Sequence, residues 1–326
     1  MIYKAIVKSV FVLHPGYSLR ALRNKLRLTL LIARNWRELK GYLDRLGNTL
    51  GRERFQHLGE DCIGLVQWPY ISKSWEAQTR FDALASHYEV VTQCCQPLLL
   101  LSRDDTRLLA DLTPYSPNCT LVLDRAFWFM REGELVLNLF QGDLRVASLA
   151  FTLSRSEHGL CMFIGAVQGI HKGVDSETSL DIYRVLTKDF EGLRPRSLLI
   201  EAARHIAQRL GVTRLYAVGD GYRHHRHPYF GRDKAEELLG NYDVIWQEHG
   251  AIPSEREDFF NIPLFGSRTP LEQIAAKKRA MYRRRYELLD GIFAQVDSAV
   301  RQPVGGRGAV ELELLADTHT ENTLAR

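Results

Sequence analysis

Within the eight residues from Tyr222 to Tyr229 stand three histidines, two arginines and two tyrosines. Imidazole titrates near neutral pH, and the guanidinium fork matches a carboxylate or phosphate. Arg223, His224 and His225 are therefore read as acid–base or oxyanion-binding groups. No metal site is read here: consecutive imidazoles point apart on most backbones, and neither an HExxH pattern nor a spaced carboxylate accompanies them. The competing reading is a polar loop with solvated histidines. A second group, Gly192-Leu193-Arg194-Pro195-Arg196-Ser197, stands directly before a strong helix signal. Free amides at a helix start together with two guanidinium groups outline an anion site. Gly192, Arg194, Arg196 and Ser197 are its candidate phosphate-binding residues. Against it, Pro195 removes one donor, no second glycine lets a phosphate approach closely, and surface arginines at a helix start give the bland alternative. Glu201 and His205, one turn apart, read as a partly buried structural pair. Gly-x-Ser-x-Gly, Walker and Rossmann glycine patterns are all missing, so the common hydrolase, NTPase and dehydrogenase classes lose support.

The elements that must carry these groups show in the period of the apolar residues. From Leu19 to Leu46 they recur at spacings of three and four, which predicts one long helix stopped by Gly47. Helices are also predicted over Arg80–Val91 and Gln96–Ala110. Four β-rich runs between Cys119 and Gly169, separated by Arg-Glu-Gly, Gly-Asp and Glu-His-Gly turns, predict an antiparallel meander. Asp175–Phe190 and Ser197–Leu210 read as helices, the second capped by Ser197 and stopped by Gly211. Arg214–Val218, Tyr242–Gln247 and Phe259–Leu264 read as strands. Thr269-Pro270-Leu271-Glu272 reads as the start of a helix running to about Ala294, and the glycine-bearing tail from Arg301 as a mobile extension. The resulting division is a mainly helical basic region at 1–117, an α/β region at 118–268, and a C-terminal basic helix and tail at 269–326.

The chain has 326 residues, 45% apolar and 25% charged, an ordinary globular mix that excludes wholesale disorder and a disulfide-stapled miniature. Its net charge is only +4, yet residues 1–60 hold 12 basic and 4 acidic side chains. Arg20, Arg23, Arg27, Arg34 and Arg37 make one cationic helix face. Lys277, Lys278, Arg279, Arg283, Arg284 and Arg285 make another. Such faces attract phosphates, those of an anionic membrane surface included, although a charge run is more often a solvated face. Nucleic acid is disfavoured, since no RNP, helix-turn-helix or zinc-finger pattern accompanies the charge. Five cysteines without CxxC spacing point to reduced thiols and away from structural zinc. No secretory signal or spanning segment is read. The expected location is the cytoplasm, peripheral to the inner membrane if the cationic helices meet lipid.

The order of elements from 119 to 265 resembles the N-acetyltransferase-like (GNAT) fold, an α+β architecture. That resemblance implies two central strands that splay apart, an acyl-CoA cofactor, and a pyrophosphate resting on the helix between them. The family's Gln/Arg-x-x-Gly-x-Gly/Ala loop is not present, and Gly192–Ser197 stands in its place. Over residues 15–295 the chain resembles the bacterial VirK/YbjX family. The resemblance is carried by Trp68-Pro69-Tyr70-Ile71, Arg80-Phe81, His87-Tyr88, Gly165–Gly173, Leu193-Arg194-Pro195-Arg196 and Asp220-Gly221-Tyr222-Arg223-His224. It implies a Gram-negative source and roles in envelope integrity, virulence, resistance to cationic antimicrobial peptides and stress responses including DNA damage, with no catalytic residues to carry over. Two functions are expected from this reading: an acyl-CoA-dependent acyltransferase, or a non-enzymatic protein that sits on a membrane surface or envelope complex through its cationic helices.

Overall fold

The computed structural model describes residues 2–58, 61–94, 101, 105–125, 127–231, 240–266 and 268–301. It is an α+β chain in which N-terminal helices pack on a mixed sheet of eight strands. The helices are α1 (Ile2–Leu13), α2 (Leu19–Arg34), α3 (Trp36–His57), the short α4 (Asp61–Gly64) and α5 (Ala77–Gln93). The expected single helix over 19–46 is two. Asn35 ends α2 by turning both its backbone N–H and its side-chain amide onto the Leu31 carbonyl, and Trp36 starts α3 afresh.

The stripe of that helix is corrected as well. In α2 the buried residues are Ala21, Lys25, Leu28 and Ile32, whereas Leu19, Leu22, Leu26 and Leu30 are 88, 48, 61 and 61% exposed. Two apolar stripes coexist on this helix, and spacing alone does not say which one the core takes. Lys25 is buried because its ammonium donates to the Gly16 carbonyl and lies over the Phe11 and Tyr17 rings.

The strands are β1 (Thr106–Asp111), β2 (Cys119–Asp124), β3 (Leu135–Gln141), β4 (Leu144–Ser156), β5 (Gly159–Gln168), β6 (Arg214–Val218), β7 (Ile252–Pro253) and β8 (Phe259–Ile262). Their order is β1-β2-β3-β4-β5-β6-β8-β7, with only β5 and β6 parallel. The meander from Cys119 is present as β2 to β5. The described part of the expected helix Gln96–Ala110 is instead the edge strand β1, which pairs with β2 across the expected boundary at 117/118. β4 outruns β3, and α5 takes the backbone N–H groups this leaves, Leu153 donating to His87 Nδ1 and Arg155 to Ser86 Oγ.

Between β5 and β6 run α6 (Ser176–Asp189) and α7 (Pro195–Arg209), and α7 packs across β3, β4 and β5. Ser197 is not the cap of α7. Pro195 occupies the first helical position and holds Arg194 extended as N-cap. Residues Tyr242–Gln247, expected as a strand, lie in the helix α8 (Tyr242–Glu248), capped by Asn241, whose side chain accepts from Asp243 and Val244 N–H. The C-terminal helix α9 (Ala276–Arg301) starts later than Thr269, because Ile274 is extended and the Arg279 guanidinium takes its carbonyl and that of Glu272. The tail beyond Arg301 and Cys95 lie outside the described residues, and Cys94, Cys119 and Cys161 are free thiols.

One apolar core runs from Leu28, Leu39 and Leu46 through the sheet to Leu288 and Ile292. No helix among the described residues is long and apolar enough to cross a membrane.

Candidate functional site

The start of α7 faces a cavity of about 750 Å³, walled by α6 (Leu180, Tyr183, Arg184), by Gly192–Ser197, by α8 (Ile245, Glu248) and by Met281 and Arg284 of α9. All four residues expected to hold phosphate line it. They are not equally free to do so. Gly192 serves the chain turn that closes α6: its φ is 79° and its N–H donates to the Thr187 carbonyl. Arg194 is exposed and paired with Glu248 at 3.1 Å. Ser197 Oγ lies 3.2 Å from His249 Nε2, and burial, with Arg204 beside it, pushes that imidazole down to about 4. Arg196 differs from these. It packs against Gly169, where a β-carbon would collide with its guanidinium and with the Tyr183 hydroxyl, and among the described residues its buried Nε meets no acceptor. The first amides of a helix have no intrahelical acceptor either, so donors concentrate at this end of the cavity.

Arg223, His224 and His225 do not line that cavity. They lie beyond the C-terminal end of β6 on successive 3-10 turns, Asp220–Tyr222, His224–Arg226 and Pro228–Phe230. The expectation that the two imidazoles point apart is corrected by the geometry. Their ring centroids are 3.7 Å apart, and both Nδ1 atoms sit 3.7 Å from the same Glu132 Oε1. Glu132 is fully buried, and its other oxygen accepts from Gln168 Nε2 at 2.8 Å. Desolvation pushes the Glu132 carboxyl up to about 8, against the opposing pull of Arg223 and Gln168. A carboxylic acid poised near neutrality beside two imidazoles can take up and deliver protons. Arg223 faces another way, pairing with Asp220 and lying 3.8 Å from the centre of the Tyr242 ring.

Three features of the sequence put Glu132 here. Gly165 is the extra residue of a bulge in β5, and the space its missing side chain leaves is filled by the Glu132 backbone carbonyl. The Trp68–Trp75 loop docks on both neighbours: Ile71 N–H donates to Arg131 O, Lys73 N–H to Tyr222 O, and Trp68 Nε1 to the Tyr229 hydroxyl. Arg80 secures the loop from behind by donating to the Trp68 and Val66 carbonyls. The segments that carried the family resemblance are thus neighbours in space.

The two groups of residues meet at one strand end. Gln168 holds Glu132, and the next residue, Gly169, packs against Arg196. The parallel pairing of β5 with β6 runs from Cys161↔Arg214 to Ile164↔Ala217 and stops there. In the gap beyond, Tyr242 and Trp246 of α8 are buried. The Tyr242 hydroxyl accepts from Val167 N–H at 3.2 Å, and Trp246 Nε1 donates to Val218 O at 2.8 Å.

Sequence reasoning missed Glu132, reading Arg131-Glu132-Gly133 only as a turn, and it missed Tyr242. It also missed a buried network in which Glu134 accepts from Tyr88 at 2.7 Å and from Tyr70 at 3.4 Å and pairs with Arg125. A buried carboxylate among tyrosines has no local signature. Glu201 and His205, expected as a pair, go separate ways: Glu201 binds Arg204, while His205 binds Asp297 at 2.9 Å and stacks on Phe293.

Comparison with known proteins places the chain in a family. The chain is 29% identical over 238 residues to the uncharacterized protein YbjX of Escherichia coli, covering 72% of this chain and 70% of that protein. Two uncharacterized proteins of Haemophilus influenzae are 28% and 26% identical over 235 and 227 residues, covering 70% and 68% of this chain and 72% and 71% of theirs. No solved structure matches. The family model described as "Protein of unknown function (DUF535)" matches residues 17–298, a span that takes in both residue groups and the Trp68–Trp75 loop, and the chain therefore belongs to the DUF535 family, consistent with the VirK/YbjX group its motifs resemble.

Proposed function

We propose that the cavity at the start of α7 takes an amphipathic, phosphate-bearing ligand, with acyl-CoA the first class to test. The observation that carries the reading is the Arg196 guanidinium, held at the cavity wall with a buried Nε that meets no acceptor among the described residues, while Lys188 lines the same cavity, Arg184 and Arg284 line it paired with Asp181 and Glu191, and Leu180, Ile245 and Met281 supply an apolar wall. An acyltransferase is the reaction class this favours. The parting of β5 and β6 at a glycine bulge supports it. The filling of that gap by Tyr242 and Trp246 counts against an acyl arm lying there, so on this reading the arm follows the α6–α9 side of the cavity. Calorimetric titration with CoA and acyl-CoA tests it, with Arg196→Ala expected to weaken binding at least tenfold and Arg194→Ala less, since Arg194 is already paired. Absence of binding to CoA, acyl-CoA and inorganic pyrophosphate removes the reading.

A second reading, attachment to an anionic membrane surface, is favoured by a different observation. The exposed leucines 19, 22, 26 and 30 of α2 form a stripe flanked by Arg20, Arg23 and Arg27, the pattern of a helix lying in a lipid interface. It would suit the envelope roles that the VirK/YbjX resemblance implies. The α9 cations contribute less, because Arg284 is paired with Glu191 and Arg279 and Arg285 are bound to backbone carbonyls. Flotation with vesicles containing phosphatidylglycerol, weakened by salt and lost on replacing Leu22 and Leu26 by serine, supports this reading. Unchanged flotation rejects it.

A further inference from the structure

Among the described residues, Glu132, His224 and His225 are the one group of His, Cys, Asp or Glu side chains whose ligand atoms converge, all within 4.8 Å of one another. The donor set is two imidazole nitrogens and one carboxylate oxygen, the combination suited to a first-row divalent transition ion. Bonds of about 2.0–2.2 Å to such an ion place neighbouring donors about 3.0–3.4 Å apart. Each Nδ1 is 3.7 Å from Glu132 Oε1 and the three ligand atoms lie within 4.8 Å of one another, so closing on an ion asks for a few tenths of an ångström between each imidazole and the carboxylate and for up to about 1.4 Å between the two imidazoles.

The surroundings orient the group. Gln168 engages Oε2, which leaves Oε1 turned to the histidines. The backbone on one side is fixed by the Glu132 carbonyl in the Gly165 bulge, and on the other by the bridge between Ser72 and Arg223. Arg223, whose guanidinium acts on Glu132, is paired with Asp220, a carboxylate it shares with Arg226, so its charge is only partly offset and opposes an incoming dication. Access is one-sided. The His224 and Glu132 side chains are 4% and 3% exposed, that of His225 28%.

We infer that Glu132, His224 and His225 form a binding site for a divalent transition-metal ion such as Zn²⁺, with coordination positions left open on the His225 side. Three protein donors with open positions are the arrangement of a site that engages a water or a substrate group, unlike the closed four-ligand shell of a structural zinc. The inference is independent of the anion reading, because none of the three donors lines that cavity.

The test is Co²⁺ titration of the full chain followed by visible absorption, with Zn²⁺ as competitor and metal content measured after dialysis. One equivalent of Co²⁺ is expected to give ligand-field bands that Zn²⁺ abolishes. His225→Ala and Glu132→Gln are expected to bind more than tenfold more weakly with unchanged circular dichroism, and Gln168→Ala about 10- to 100-fold more weakly. If Glu132→Gln does not fold, protection of His225 in the native chain from diethyl pyrocarbonate by Zn²⁺ reads the same site. The inference is overturned if the folded native chain takes up no stoichiometric Co²⁺ or Zn²⁺, if uptake is the same in the foldable ligand variants, or if Zn²⁺ gives His225 no protection.

Discussion

The backbone N–H of Val167 donates to the hydroxyl of Tyr242 at 3.2 Å, so a side chain of α8 replaces the neighbour that β5 loses where β6 turns away. Replacing Tyr242 by phenylalanine keeps the ring and removes the acceptor, leaving a buried amide unpaired. The expected cost is about 1–3 kcal/mol of stability, read as a lower urea midpoint with an unchanged slope. No measurable loss would show that the hydroxyl is not what closes the gap.

Gly165 is expected to be intolerant for a reason unrelated to backbone freedom. A methyl group at Gly165→Ala points into the Glu132 carbonyl, and overpacking of this kind costs about 1–3 kcal/mol or more. Because the same contact fixes Glu132, its substitution should also lower Co²⁺ uptake, a result that calorimetry of thermal unfolding alone would not reveal.

His87 sets an acid limit on the fold. Burial pushes its imidazole down to about 4, with Glu134 pulling upward and Arg125 downward, and its Nδ1 accepts the Leu153 N–H. The unfolded chain protonates near the ordinary value of 6.5, the folded chain only near 4. As pH falls through that window the unfolded state takes up the proton first, and stability is lost, by about 3 kcal/mol at most. His87→Gln retains an acceptor and does not titrate. Its urea midpoint should therefore fall less than that of the native chain between pH 7 and pH 4.5, and parallel profiles would refute the assignment.

On α2 two neighbouring leucines should behave oppositely. Leu28 is wholly buried, and Leu28→Ala is expected to cost about 2–5 kcal/mol. Leu26 is 61% exposed, and Leu26→Ser is expected to change stability by no more than about 0.5 kcal/mol. Thermal unfolding of the two variants decides which stripe faces the core.

The meander and the helices α6 and α7 were legible because each is written locally, in β-rich runs between turn signals and in helical spacing stopped by Gly211, although α7 begins at Pro195 and not at Ser197. α8 was misread because Tyr242, Val244, Ile245 and Trp246 suit a strand; the informative residue was Asn241, whose capping side chain starts the helix. The candidate site was half legible. His224 and His225 stand out by composition, but their partner is 92 positions earlier, inside a turn whose glycine and charge gave no hint of a buried carboxyl. What joins them is the bulge at Gly165, and nothing short of the folded sheet shows which backbone fills it. Gly192, Arg194, Arg196 and Ser197 line one cavity, and their grouping from the sequence was blind to the differences among them, which arise from Glu248 and His249 far along the chain.

Gln168 and Gly169 share a single peptide group, one residue bound to Glu132 and the other pressed on Arg196. A guest that drew Arg196 off Gly169 would slacken the last residue of β5, and an ion that drew Glu132 toward the imidazoles would tighten it. Whatever advantage or penalty one guest confers on the other must be equal in both directions, so a titration of either, repeated with the other present, measures the same coupling constant.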